Sequence, residues 1–105
     1  MAVPEITVDE LPARLAAGRA LVDVRQADEF HEVHVPGARL IPLDMVIERL
    51  EEIRALGAVD VICRSGARSH RAADYLRAQG VDATNVIGGT LAWLAAGGPL
   101  AAGPE

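Results

Sequence analysis

Lysine is absent from the 105 residues and cysteine occurs once. Without lysine every fixed side-chain cation is an arginine, which stays protonated near neutral pH and presents a planar fork of donors suited to oxyanions and carboxylates. The formal net charge is −5, so the basic surplus of a nucleic-acid-binding protein is missing and no such partner is expected. A single cysteine excludes a disulfide within the chain and fits a reducing compartment, and one histidine near one cysteine does not make a metal site. No apolar run approaches the length of a membrane span, and Met1-Ala2-Val3-Pro4-Glu5 has neither the basic nor the apolar part of a secretory signal. The expectation is a cytoplasmic protein with no membrane partner and no cofactor. Half the residues are apolar and 24% are charged, an ordinary composition for a globular domain. A chain of this size makes one domain that buries about 60 to 65% of its unfolded surface. The expected division is a domain over residues 1–100 and a short flexible tail over 101–105.

Apolar stretches suited to buried strands occur at Ala20 to Val24, Leu40 to Ile41, Val59 to Cys63 and Thr84 to Ile87, with a short strand near Glu5 to Thr7. Helical patterns separate most of them. Asp9 to Ala17 stops at Gly18, and Asp44 to Leu56, with Val46, Ile47, Leu50 and Ile53 on one face, stops at Gly57. Ser69 is placed to cap a helix that buries Ala72, Ala73 and Leu76 and ends at Gly80. A last helix, Thr90 to Ala96, stops at Gly97-Gly98-Pro99, with Trp93 as its core anchor. Strands alternating with helices predict an α/β fold with a mainly parallel sheet covered on both faces, in which ligands lie beyond the carboxyl ends of the strands.

The run Cys63-Arg64-Ser65-Gly66-Ala67-Arg68-Ser69 leaves one strand at that edge, and Asp23-Val24-Arg25 leaves another. A loop closing onto a helix start offers unpaired N–H groups and the positive end of the helix dipole, so it can cradle an anion. Arg64 and Arg68, with His70 and Arg71 beyond, make a local basic cluster in an acidic chain, a pattern that draws in a small anion. A thiol in such surroundings ionises more readily than a free one, and the thiolate is the nucleophile. The plain alternative is a buried cysteine acting as a small apolar residue, with His70 and Arg71 on a solvated helix end.

Four segments together resemble a single-domain rhodanese: Asp23-Val24-Arg25 followed by Glu29-Phe30; His34-Val35-Pro36-Gly37-Ala38 with Ile41-Pro42 after it; Cys63 to Ser69 running into Ala72-Ala73; and Gly88-Gly89, Trp93, Gly98-Pro99. The resemblance covers nearly the whole chain. It implies a five-stranded α/β fold and a sulfurtransferase whose loop cysteine takes sulfur from a small anionic donor such as thiosulfate and carries it as a persulfide. A thiophilic acceptor, which could be cyanide, a thiol or a protein thiol, then removes it. On this reading Cys63 is catalytic and the N–H groups of Arg64, Ser65, Gly66, Ala67, Arg68 and Ser69 form the ring that holds the charge. Arg64 meets the donor and Arg68 braces the loop through a carboxylate. Asp23 needs a partner in its buried setting, Arg25 or Arg68, and His34 sits in the scaffold of a proline-glycine turn.

Val33 departs from the pattern, which has glycine there. A β-branched residue is strained at positive φ, so the chain before His34 takes another path. Two other readings remain open at this stage. Phosphatases and arsenate reductases of the related fold carry a similar loop, but with five residues between cysteine and arginine, where this chain has four, Arg64 to Ala67. A non-catalytic regulatory binding module is the other, although such domains commonly lose the cysteine kept here.

Overall fold

The structure is a computed structural model and describes residues 2–104; Met1 and Glu105 lie outside the described residues. Five strands, β1 (Glu5–Ile6), β2 (Ala20–Asp23), β3 (Ala38–Leu40), β4 (Val59–Ile62) and β5 (Ala83–Val86), form one sheet in the order β1-β5-β4-β2-β3. Every neighbouring pair is parallel. The helices are α1 (Leu11–Ala16), α2 (Ala27–Glu32), α3 (Leu50–Ala55), α4 (Ala67–Ala78) and α5 (Gly89–Ala95). Parallel strands need crossovers, and a sheet connected this way is covered on both faces. One apolar layer joins Val22, Val59 and Val61 of the sheet to Ile53 of α3 and Ala72, Ala73 and Leu76 of α4. The other joins Leu21, Ile62 and Val86 to Leu11 of α1 and Trp93 of α5. The α/β expectation therefore holds, with the sheet wholly parallel among the described residues.

The central strand β4 carries a buried carboxylate, Asp60, held by Arg14 (Nε 2.9 Å, Nη2 2.7 Å) and by Arg19 Nε at 3.0 Å. A charge in such a place stands only when fully paired. Arg19 also donates to the Val59 carbonyl at 3.1 Å, so the pair ties the end of α1 to the start of β4.

Three local expectations are corrected, and one helix the sequence did not show is added. The single helix Asp44 to Leu56 is broken: residues 43–45 form a 3-10 turn, and regular helix begins only at Leu50. Hydrogen bonds from Met45 to Pro42 and from Val46 to Leu43 wind this stretch at about 3 residues per turn. The change of phase leaves Val46 buried at 2% exposure and turns Ile47 outward at 69%. Helix α2 was hidden in the sequence because Phe30 is the one large apolar side chain among its six residues; it is begun by Glu29, whose carboxylate accepts the Gln26 N–H at 3.1 Å. Ser69 is not a cap. Gly66, at φ 110°, takes the cap position of α4, and Ser69 lies a turn further on with its hydroxyl turned into the protein. The third strand runs Ala38–Leu40 rather than Leu40 to Ile41.

The segment expected to be a flexible tail is attached as far as it is described. Ala101 exchanges both backbone hydrogen bonds with His34, each 2.9 Å, and the Gly103 N–H donates to the His31 carbonyl at 2.7 Å. Trp93 anchors α5 as expected and donates its indole N–H to the Pro99 carbonyl at 2.8 Å. Gly98 lies against its ring, where a Cβ would come within 2.3 Å of Trp93 Cε2.

Candidate functional site

Cys63 is the first residue beyond β4, and its side chain is 1% exposed. The loop curls around it before α4 begins. Gly66 donates its backbone N–H to Cys63 Sγ at 3.1 Å and the Ser69 hydroxyl lies 3.3 Å from the same sulfur. Burial pushes the thiol pKa up, but hydrogen bonds from the Ser69 hydroxyl and from the Ser69, Gly66 and Ser65 N–H groups outweigh it, and the net direction is down. A sulfur anion is thus stabilised by backbone dipoles that need no rearrangement when charge appears.

Two glycines make the curl possible. Gly66 adopts a left-handed conformation that other residues avoid. Gly89 opens α5 directly behind the loop, where a Cβ would fall 2.3 Å from the Cys63 carbonyl oxygen and 2.6 Å from that of Arg64. Without side-chain bulk there, the Thr90 N–H reaches the Cys63 carbonyl at 2.9 Å and the Leu91 N–H reaches that of Arg64 at 3.1 Å. The Thr90 hydroxyl adds a bond to the Cys63 carbonyl at 3.2 Å. These contacts hold loop carbonyls on the α5 side while loop N–H groups face the sulfur.

The arginines divide as their surroundings dictate. Arg68 makes a bidentate pair with Glu29 of α2, 2.8 and 2.9 Å. Arg64 and Arg71 are exposed. Asp23 is paired by Arg25, not Arg68: its carboxylate accepts the Arg25 backbone N–H at 3.0 Å, Nε at 3.0 and 3.1 Å and Nη2 at 2.9 Å. Arg25 then reaches the Val33 carbonyl at 2.8 Å. Val33 is extended, φ −163°, the alternative path its branched side chain requires. His34 is fully buried, stacks on Phe30 with ring centroids 3.6 Å apart, and holds Nδ1 2.7 Å from the Phe30 carbonyl oxygen. It belongs to the joint between α2 and the C-terminal segment. The linked pairs Asp23–Arg25 and Glu29–Arg68 therefore run from the end of β2 through α2 to the loop.

A cavity of 160 Å³ beside Arg64 is lined also by Arg25, Glu29, Thr90, Leu91 and Leu94. A wider groove of 520 Å³ on the other side of the loop is lined by Arg68, Arg71, Tyr75, Leu43 and Ile47. Sequence reasoning missed Asn85, whose amide oxygen lies 2.6 Å from the Ser69 hydroxyl. The signal was an asparagine inside the buried strand β5, where a polar side chain needs a built partner.

Glu29 gives the site an acid limit. Its hydrogen bonds with Arg68 hold its carboxyl down from 4.5 to about 2, against the opposing effect of burial. A carboxyl depressed on folding stabilises the protein fully above its unfolded value, and that stabilisation is lost as pH falls toward the folded value. Glu29→Gln is therefore expected to lower thermal stability near neutral pH and to flatten its decline between pH 4.5 and about 2. Melting followed by circular dichroism across that range checks this; an unchanged slope would show the pair to be energetically idle.

A family model described as Rhodanese-like domain matches residues 7–96. The chain is similar to a sulfurtransferase of Allochromatium vinosum, with 39% identity over 98% of each protein. Among solved structures it is similar to a rhodanese-like domain protein from Staphylococcus aureus, with a TM-score of 0.80 and 36% identity over 87% of this chain and 91% of the other. It is also similar to a thiosulfate sulfurtransferase from Pseudomonas aeruginosa, with a TM-score of 0.85 and 26% identity, covering 96% of this chain but only 20% of that one.

Proposed function

This chain belongs to the rhodanese-like domain family, and on that premise we propose that it is a sulfurtransferase that moves sulfane sulfur from an anionic donor such as thiosulfate through a Cys63 persulfide to a thiophilic acceptor. The observation that carries the reading is the seat of the sulfur: Cys63 Sγ lies within a ring of loop N–H groups, with Gly66 N at 3.1 Å. Cys63 thiolate attacks the outer sulfur of thiosulfate, forming the Sγ–S bond as the bond to the sulfonate sulfur breaks and sulfite leaves with the electron pair. The outer sulfur of the persulfide then bears the charge, and the N–H ring stabilises it. Cyanide or a thiolate attacks that outer sulfur and returns Cys63 as thiolate. No general base is required, because each step starts from an anion and releases one. His34, fixed on Phe30, is consistent with a scaffold role.

Arg64, exposed at the rim of the smaller cavity, is assigned to the donor anion, and Arg68, with Glu29, to bracing the loop. Asp23 and Arg25 support the same brace. The ring formed with four residues between Cys63 and Arg68 suits one sulfur better than a phosphate with its oxygens, which disfavours the phosphatase and arsenate reductase reading. A protein thiol as acceptor fits the same chemistry.

A thiosulfate:cyanide assay that follows thiocyanate, run beside an aryl phosphate hydrolysis assay, tests this. Transfer is expected, with negligible phosphate release. Arg64→Ala should raise KM for thiosulfate by up to about fivefold, the loss of one exposed charge contact worth at most about 1 kcal/mol, with a smaller effect on kcat. Phosphatase activity dependent on Cys63 would overturn the assignment, and equal effects of Arg64→Ala on KM and kcat would remove the arginine from donor binding.

A further inference from the structure

Ser69 is fully buried, and its hydroxyl has two neighbours, Asn85 Oδ1 at 2.6 Å and Cys63 Sγ at 3.3 Å. It has one hydrogen to give. Asn85, 2% exposed on β5, sends its amide Nδ2 to Glu5 Oε2 at 2.9 Å, and Glu5 faces it across the register of β1 and β5. An ionised carboxylate only accepts, so it must face the NH2 end of the amide, which turns the carbonyl end toward Ser69. Once Cys63 is a thiolate, Ser69 lies between two acceptors. We propose that Glu5 and Asn85 are positioning residues for the nucleophile: Asn85, its amide oriented by Glu5, competes with Cys63 Sγ for the Ser69 hydroxyl hydrogen.

The two arrangements favour different forms of the sulfur. With the hydrogen on Asn85, Cys63 faces an oxygen lone pair, which suits an S–H. With the hydrogen on Sγ, a thiolate gains a charge-assisted bond, while the buried Asn85 oxygen loses its donor and the lost bond counts against ionisation. The loop N–H groups are not contested in this way, so the Glu5–Asn85 pair adjusts the thiol–thiolate balance on top of a fixed contribution. The inference rests on the proposed reading for its consequence in turnover: when sulfur is loaded, charge moves to the outer atom, Sγ becomes neutral, and the hydrogen returns to Asn85. The hydroxyl rotates and no proton leaves Ser69.

Ionisation of Cys63, measured as the pH dependence of its alkylation by iodoacetamide, tests this without any sulfur donor. Asn85→Leu keeps the side-chain shape and removes the competing acceptor, so the midpoint should fall by about one pH unit, the value of one charge-assisted hydrogen bond. Ser69→Ala should raise it by a similar amount. Glu5→Lys, on an exposed residue, offers a donor in place of an acceptor. The amide should turn its oxygen outward and its NH2 toward Ser69, again lowering the midpoint. The fixed charges near the sulfur are Arg68 with Glu29, Asp23 with Arg25, and the exposed Arg64, and none is altered in these variants.

The double variant Asn85→Leu with Glu5→Lys should match Asn85→Leu alone, because the amide is the only link. Additive shifts that fade with salt would assign the effect to the Glu5 charge and overturn the proposal. So would an unchanged midpoint in Glu5→Lys, which decides the matter even if Asn85→Leu does not fold. The midpoint shifts in a protein that never loads sulfur would leave this inference standing and remove the sulfurtransferase reading.

Discussion

Cys63→Ser is expected to abolish thiosulfate:cyanide transfer while leaving the protein folded. The side chain is buried and its sulfur accepts the Gly66 N–H; a serine oxygen, smaller but similar in shape, can accept the same bond. The change in stability should stay near 1 kcal/mol, within the common range for substitutions that neither open a large cavity nor strand a charge. The loss of function is chemical: a serine hydroxyl does not ionise near neutral pH even among these donors, and oxygen cannot carry sulfane sulfur as a persulfide. Thiocyanate production should fall to the uncatalysed background, with the far-UV spectrum and melting curve nearly unchanged. Substantial transfer by the folded variant would remove the thiol from the mechanism.

Asp23→Ala is expected to produce the largest loss of stability of any single change away from the loop. Asp23 is fully buried, and Arg25, nearly as buried, depends on it for three side-chain hydrogen bonds. Removing one partner of a buried ion pair leaves the other charge uncompensated, which costs about 3 to 5 kcal/mol. For a domain of this length each kcal/mol corresponds to roughly 4 to 8 °C in melting temperature, so the midpoint should fall by well over 10 °C. Activity should fall as well, because Arg25 holds the Val33 carbonyl and α2 presents Glu29 to Arg68. Replacing both residues, Asp23→Leu with Arg25→Met, should recover much of the stability. A drop of only a degree or two in Asp23→Ala would show that water reaches Arg25.

Much of this site could be read from residue types alone, and the reason is local. The strand ends, the lone cysteine, Gly66 and the arginines of the loop are contiguous in sequence, and their placement follows from a short stretch of chain. The need of Asp23 for a partner was equally plain, because a carboxylate in a buried strand allows little else. Partners distant in sequence were not legible: Arg68 needed a carboxylate, but nothing in the loop names Glu29, and α2 is too polar to announce itself. Ser69 has the composition of a cap, yet buried acceptors on β5 and at Cys63 draw its hydroxyl inward. Ile47 fits a helical stripe in the sequence, but the 3-10 winding of residues 43–45 rotates it into solvent. At Ser69 an interaction between segments overrode a pattern that was correct for an isolated element, and at Ile47 a local change of helical winding did.

Intact-mass spectrometry of the protein incubated with thiosulfate and no acceptor tests the central claim most directly. Cys63 is the only thiol in the chain, so a persulfide formed there has no intramolecular partner to resolve it, and loading must stop at one turnover. The expected result is a mass gain of one sulfur atom per chain, released sulfite in equal amount, and loss of the added mass on addition of cyanide. An unchanged mass with thiosulfate and with other sulfane donors, or continued sulfite release in the absence of any acceptor, would contradict a Cys63 persulfide as the carrier.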